Sequence, residues 1–171
     1  MTGAQLMQIM PLAGRRAMLF LAPLNAAMAE FGIDTPLRQA AFLAQVGHES
    51  GQLRYVRELA SGAAYEGRAD LGNVIAGDGV RFKGRGLLQV TGRANYAACG
   101  VSLGLDLLAA PQLLEQTMFA CRSAGWFWQS RGLNRLADAG DQERVTRRIN
   151  GGVNGLAERL ALYAAARKVL A

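Results

Sequence analysis

The chain has 171 residues, enough to bury the core of one domain and too few for several. At 51% hydrophobic it is not a disordered chain, and few aromatics with many alanines favour closely packed helices over a sandwich or barrel. The net charge of +6 creates a field that attracts polyanions. The arginine pairs Arg15-Arg16 and Arg147-Arg148 are too short to read as a nucleic-acid arm, so no nucleic-acid partner is expected.

Residues Thr2 to about Ile9 read as a short helix stopped by Pro11 and Gly14. A second helix is expected from about Arg15 to Phe31, with Leu19, Leu24, Met28 and Phe31 on its core face and Pro23 as a kink or break. Its apolar stretch, Ala17 to Ala29, is too short to span a bilayer. The first five residues lack the positive n-region of a signal peptide.

Thr35-Pro36 is a helix start, with Thr35 as N-cap and Pro36 at the first helical position. The helix is expected to run to Gly47 or Glu49, with Gly51 as its stop. Leu37, Ala40, Ala41, Ala44 and His48 share one stripe, and Phe42, Leu43 and Val46 widen it, which predicts a central, buried helix.

Residues 50–86 are irregular and glycine-rich, the kind of long stretch that is usually functional in a compact domain. Two short strands are expected near Val80–Phe82 and Leu87–Val90. Helices resume at Gly92–Ala98, at Pro111–Trp128 with Leu114, Met118 and Phe119 inward, at Asp141–Ile149 and at Leu156–Leu170. No linker or repeat divides the chain. The expected fold is mostly α: a lysozyme-like, two-lobed helical domain over residues 1–171, with a groove and at most a small β element.

Chemistry concentrates around Glu49. Burial and the negative end of a helix dipole both favour its protonated form, as a general acid requires. Glycosidic cleavage needs a second carboxylate across the bond, and Glu58 and Glu66 both qualify. Arg85, between Gly84 and Gly86, is placed to pair a carboxylate. Gln89, Thr91 and Asn95 offer the neutral amides and hydroxyls that bind sugars. Asn150, before the Gly151-Gly152 turn, serves either a left-handed cap or a sugar. His48 reads as a core histidine or a partner of Glu49, and Trp126 and Trp128 as core more than as sugar platforms. With one histidine and two cysteines, Cys99 and Cys121, no metal site and no disulfide scaffold are expected, and no cofactor is implied.

These residues resemble a known family. Phe42-Leu43-Ala44-Gln45 followed by His48-Glu49-Ser50-Gly51 is similar to the catalytic segment of family 19 glycoside hydrolases. Phe82-Lys83-Gly84-Arg85-Gly86-Leu87-Leu88-Gln89-Val90-Thr91 resembles that family's Gly-Arg-Gly-x-x-Gln segment, with Asn95-Tyr96 in place, and Ile149-Asn150-Gly151-Gly152 resembles its Asn-Gly-Gly turn. The resemblance implies an inverting hydrolase with Glu49 as acid. It favours Glu58 as base and keeps Glu66 as the alternative. It places Thr91 at the attacking water, assigns His48, Arg85, Gln89, Asn95, Tyr96 and Asn150 to the substrate groove, and matches Arg159 to an arginine that pairs the catalytic carboxylates, at a shorter spacing than in plant enzymes.

Among family members the chain is most similar to single-domain phage endolysins. It lacks the cysteine framework of plant chitinases. The expected reading is a monomeric muramidase-type endolysin acting on peptidoglycan strands, released from the host cytoplasm, whose charge meets an anionic wall or outer membrane. A chitinase with the same residues and a non-catalytic wall-binding module are the competing readings.

Overall fold

The computed structural model describes all residues, 1–171. The architecture is all α, with nine helices: α1 Gly3–Ile9, α2 Arg16–Glu30, α3 Pro36–Glu49, α4 Asp78–Arg81, α5 Arg93–Leu103, α6 Thr117–Ser130, α7 Leu133–Asp138, α8 Gln142–Asn150 and α9 Leu156–Leu170. None is long and apolar enough to cross a membrane.

α3 is the central element. The Thr35 hydroxyl accepts from the Arg38 amide and Pro36 occupies the first turn, as its sequence requires. Residues Ala40 to Gly47 are all buried, because α9 covers one side and α7 and α8 cover another. The Phe42 ring meets Trp128 of α6 edge-on at 5.4 Å, a contact that adds about 1 kcal/mol beyond its buried area. One continuous apolar core links this helix to α2, α5, α6 and the 82–90 segment. Cys99 and Cys121 are unpaired within it, and burial pushes both thiols well above their usual range, Cys99 to about 12.

Several expectations need correction. The two strands do not form. Val80 lies in the single turn of α4, and residues 87–90 are a tight turn whose only β-like pairings are the isolated bridges Arg57–Arg85 and Arg85–Val90. Glycines at 84 and 86 leave too little side chain to hold a strand there. α2 continues unbroken through Pro23, and its core residue at that level is Phe20, while Leu19 is exposed. The long helix expected from Pro111 is a 3-10 segment, Pro111–Glu115, followed after Gln116 by α6, which turns Met118 outward. α7 carried no clear sequence signal.

Candidate active site

Glu49 is the last residue of α3. Immediately after it the chain reverses through Gly51, Gln52 and Leu53, all in the left-handed region at φ 57°, 56° and 68°. Only glycine adopts that conformation freely, so the turn holds strain at two non-glycine positions. Ser50 secures it by donating to the Val46 carbonyl at 2.6 Å and accepting from the Leu53 amide at 2.8 Å. The reversal carries Tyr55 to Leu59 back beside the helix end. There Glu49, Tyr55, Arg57, Glu58, Leu59 and Gln89 line one recess of about 210 Å3.

The two carboxylates are held differently. Arg159 of α9, 2% exposed, donates from Nη2 to Glu49 Oε1 at 2.5 Å, while Glu49 is 20% exposed and its Oε2 has no protein partner. The same guanidinium donates to Gln45 Oε1 and to the Asn154 carbonyl. Gln45, fully buried in mid-α3, donates in turn to the Thr146 hydroxyl of α8 at 3.2 Å. Glu58 accepts from the Tyr65 hydroxyl at 3.0 Å and from the Gly84 amide at 3.1 Å. Burial first, and then the Glu58 contact, push the Tyr65 hydroxyl above its usual range, so it stays a donor. A side chain at position 84 would displace Gln89, since a Cβ there would lie 2.5 Å from Gln89 Oε1 and 3.3 Å from Glu58 Oε2.

Glu66 is elsewhere. Its two carboxylate oxygens accept from the Gly77 and Gly79 amides at 2.7 and 2.8 Å, so it closes the turn that begins α4. Glu58, and not Glu66, shares a recess with Glu49.

Gln89 also borders a second recess of about 210 Å3, lined by Thr91, Asn95, Trp126, Phe127 and Arg131. The two recesses share Gln89 in their walls, and neither is an enclosed small-molecule pocket. Gln89 itself has φ 52°, and its side-chain amide donates to the Gly86 carbonyl at 2.9 Å. Thr91 donates to the Gln89 carbonyl and Asn95 to the Thr91 carbonyl, which leaves the Thr91 hydroxyl lone pairs free to accept. Larger hollows of about 410 and 430 Å3 exist beside α5 and α4, but the first is mainly apolar and the carboxylate in the second, Asp78, is bound to Arg93.

Not every residue expected at the groove lies there. Tyr96 is fully buried, and its hydroxyl donates to the Lys83 carbonyl at 2.6 Å. Arg85 points inward, pairing Glu115 at 2.8 Å and donating to Arg81 O and Tyr96 Oη. Its carboxylate partner is thus a structural one. His48 is pinned by Glu158 of α9 at 2.7 Å against Gly155, the residue that caps α9, and it does not line the acid recess. Asn150 clamps its own turn, accepting from Gly152 N and donating to Asn154 O, while Gly151 takes the left-handed cap at φ 77°. Trp128 is core, with Nε1 donating to Asn134; Trp126 is nearly buried and shows an edge to the second recess.

Nothing in the sequence marks Tyr55, Tyr65 or Arg131 for the site, whereas Gln45 ends the segment Phe42-Leu43-Ala44-Gln45 that carries the family resemblance. Gln45 also carries a local signal, a polar residue within the apolar run Ala40 to Val46 of α3.

The family model described as Chitinase class I, of glycoside hydrolase family 19, matches residues 28–138. A Haemophilus influenzae protein described as glycosyl hydrolase family 19 domain-containing is 34% identical, over 83% of this chain and 84% of its own length. An Arabidopsis thaliana endochitinase is also 34% identical, over 78% of this chain, but the match spans only 46% of that protein. Among solved structures, chitinase C from Streptomyces griseus superposes with a TM-score of 0.78 at 25% identity, covering 99% of this chain and 76% of that one.

Proposed function

The chain belongs to the family 19 glycoside hydrolases, and from that membership we propose that it cleaves the β-1,4 glycan backbone of peptidoglycan as a muramidase-type endolysin. The observation that carries the reading is the shared recess of Glu49 and Glu58, open along the groove past Gln89.

In this mechanism Glu49 gives its proton to the glycosidic oxygen as the bond to the anomeric carbon breaks. Its Oε2 is the oxygen available to do so, since Oε1 is held by Arg159. Glu58 takes a proton from water as that water attacks the anomeric carbon from the opposite face, and the configuration inverts. Tyr65 and the Gly84 amide keep Glu58 an acceptor aimed at the recess. Thr91, with its own proton committed to Gln89 O, accepts from the water or from a substrate hydroxyl. Gln89 and Asn95 bind the sugar amides and hydroxyls.

Charge favours peptidoglycan over chitin. Residues 117–171, the last 55 of the 171, carry nine Lys and Arg against four Asp and Glu, so most of the net charge of +6 sits on the segment that includes α6 to α9. A net positive field raises the encounter rate with an anionic wall and outer-membrane surface and does nothing for neutral chitin. In this reading the protein works as a monomer once it has left the host cytoplasm.

The test is to incubate the protein in parallel with purified Gram-negative sacculi and with colloidal chitin. Mass spectrometry of the soluble products is expected to show new amino-sugar reducing ends from the sacculi. Efficient release from chitin with intact sacculi would point to the chitinase reading.

A further inference from the structure

One groove residue has no part in the mechanism above. Apart from Arg16, which lines neither recess and reaches only the Leu12 carbonyl, the other arginines packed into this fold face carboxylates: Arg85 faces Glu115, Arg93 faces Asp78, Arg122 faces Glu30 and Arg159 faces Glu49. Arg131 does not. It follows the last turn of α6, its guanidinium carbon 3.6 Å from the centroid of the Phe127 ring. Its one side-chain hydrogen bond is a long contact to Ser130 Oγ at 3.5 Å. Burial pushes it below the usual arginine range with no carboxylate to oppose that shift. The exposed Arg148 of α8 donates to the Arg131 carbonyl at 3.2 Å and likewise has no ion pair, which sets a second unmatched cation beside the first.

Stacking on Phe127 offsets part of the cost of holding a guanidinium half out of water, but apart from the long contact to Ser130 it leaves the planar fork of N–H donors free. That fork lies in the wall of the second recess with Thr91 and Asn95, one recess along from the carboxylates. A guanidinium held in this way matches a carboxylate in geometry and charge.

We infer that Arg131 forms an anion-accepting subsite at the Thr91 end of the groove, which takes a carboxylate carried as a substituent on the glycan chain. The inference rests on the hydrolase reading above and narrows its substrate. Peptidoglycan carries such groups on its peptide arms, and on the lactyl group wherever the peptide has been removed; a polymer of N-acetylglucosamine carries none. A neighbouring sugar bound past Gln89 would present its arm to Arg131 while its glycosidic bond lies at Glu49.

The experiment uses the full chain with Glu49→Gln, so that ligand is bound and not consumed. The probes are soluble peptidoglycan strands with free carboxylates and the same strands with those carboxylates converted to methylamides. The free acid is expected to bind about tenfold more tightly, the scale of one charge-assisted hydrogen-bonded pair. Adding Arg131→Gln is expected to collapse that preference to about one. Arg131→Lys, which keeps the charge and loses the fork, is expected to hold an intermediate preference. Arg135→Gln removes the same charge from an exposed position on α7 and is expected to retain the full preference. Circular dichroism checks that each variant folds, and the Lys variant decides the matter if the Gln variant does not.

Equal affinity for the two strands, or a preference that survives Arg131→Gln, overturns the subsite. Cleavage of chitin with intact sacculi overturns the peptidoglycan reading instead. The binding ratio is measured without cleavage, so the two failures are distinct.

Discussion

Arg159 Nη2 and Glu49 Oε1 meet at 2.5 Å although 110 positions separate them in the chain. The pair ties the end of α3 to α9 and fixes one carboxylate oxygen while leaving the other to the groove. Gln45 and Asn154 hold the same guanidinium from two further directions, so the arginine has little freedom to follow Glu49 if the carboxylate moves. Replacing Arg159 by Met should cost about 3 kcal/mol of stability, since it strands a partly buried carboxylate and two polar partners. Arg159→Lys should cost less, keep KM within a few-fold and lower kcat by tenfold or more, because one ammonium cannot reach all three partners. Thermal melts and steady-state kinetics check this; a KM defect with unchanged kcat would assign Arg159 to substrate binding instead.

Glu58 and Glu66 should separate cleanly. Glu58→Gln is expected to fold normally and lose at least a thousandfold in kcat, since it removes the acceptor for the water proton. Glu66→Gln is expected to lower stability by about 1–2 kcal/mol, because only one of its side-chain atoms remains an acceptor for the Gly77 and Gly79 amides. Its kcat should fall less than tenfold. The reverse pattern would make Glu66 the base.

Gly84→Ala places a methyl against Gln89 Oε1 and Glu58 Oε2 without any demand for a left-handed backbone. Activity should drop at least tenfold while the melting temperature shifts by only a few degrees. A fully active Gly84→Ala enzyme would show that Glu58 and Gln89 tolerate displacement.

Asp78 gives the fold a defined acid sensitivity. The hydrogen bond from Arg93 is the main reason its carboxyl titrates below the usual 3.8 in the folded chain. In the unfolded chain it returns to about its usual value. The stability it contributes is therefore complete above about pH 4 and is lost as pH falls through the folded value. Wild type should melt above Asp78→Asn at pH 6, and the gap should narrow below pH 4. A gap of constant size down to pH 3 would contradict this.

The sequence exposes the local devices of the site more readily than its long-range ones. Thr35-Pro36 and the apolar circumference of α3 locate Glu49 at a buried helix end, and the Gly84-Arg85-Gly86 spacing marks the close approach to Glu58. Both depend on neighbours in the chain. The partners of Arg85 and His48 lie 30 and 110 positions away, and only packing reveals that they are Glu115 and Glu158. Glu58 and Glu66 look equivalent in a glycine-rich stretch until the fold commits Glu66 to the turn before α4. Leu87 to Val90 are apolar enough for a strand yet form a turn, because their only pairing is the isolated bridge Arg85–Val90. Arg131 stands four positions after Phe127 in the sequence, but its place in the recess wall with no facing carboxylate is visible only in three dimensions.

The most direct measurement of the central claim is lysis of purified sacculi by wild type and by Glu49→Gln, with release of reducing ends as the readout. Gln keeps an oxygen to accept from Arg159 and removes the proton that the leaving oxygen needs. The account predicts a folded variant with the wild-type melting temperature to within a few degrees and at least a thousandfold loss of reducing-end release. Reducing ends released by Glu49→Gln at the wild-type rate would contradict it.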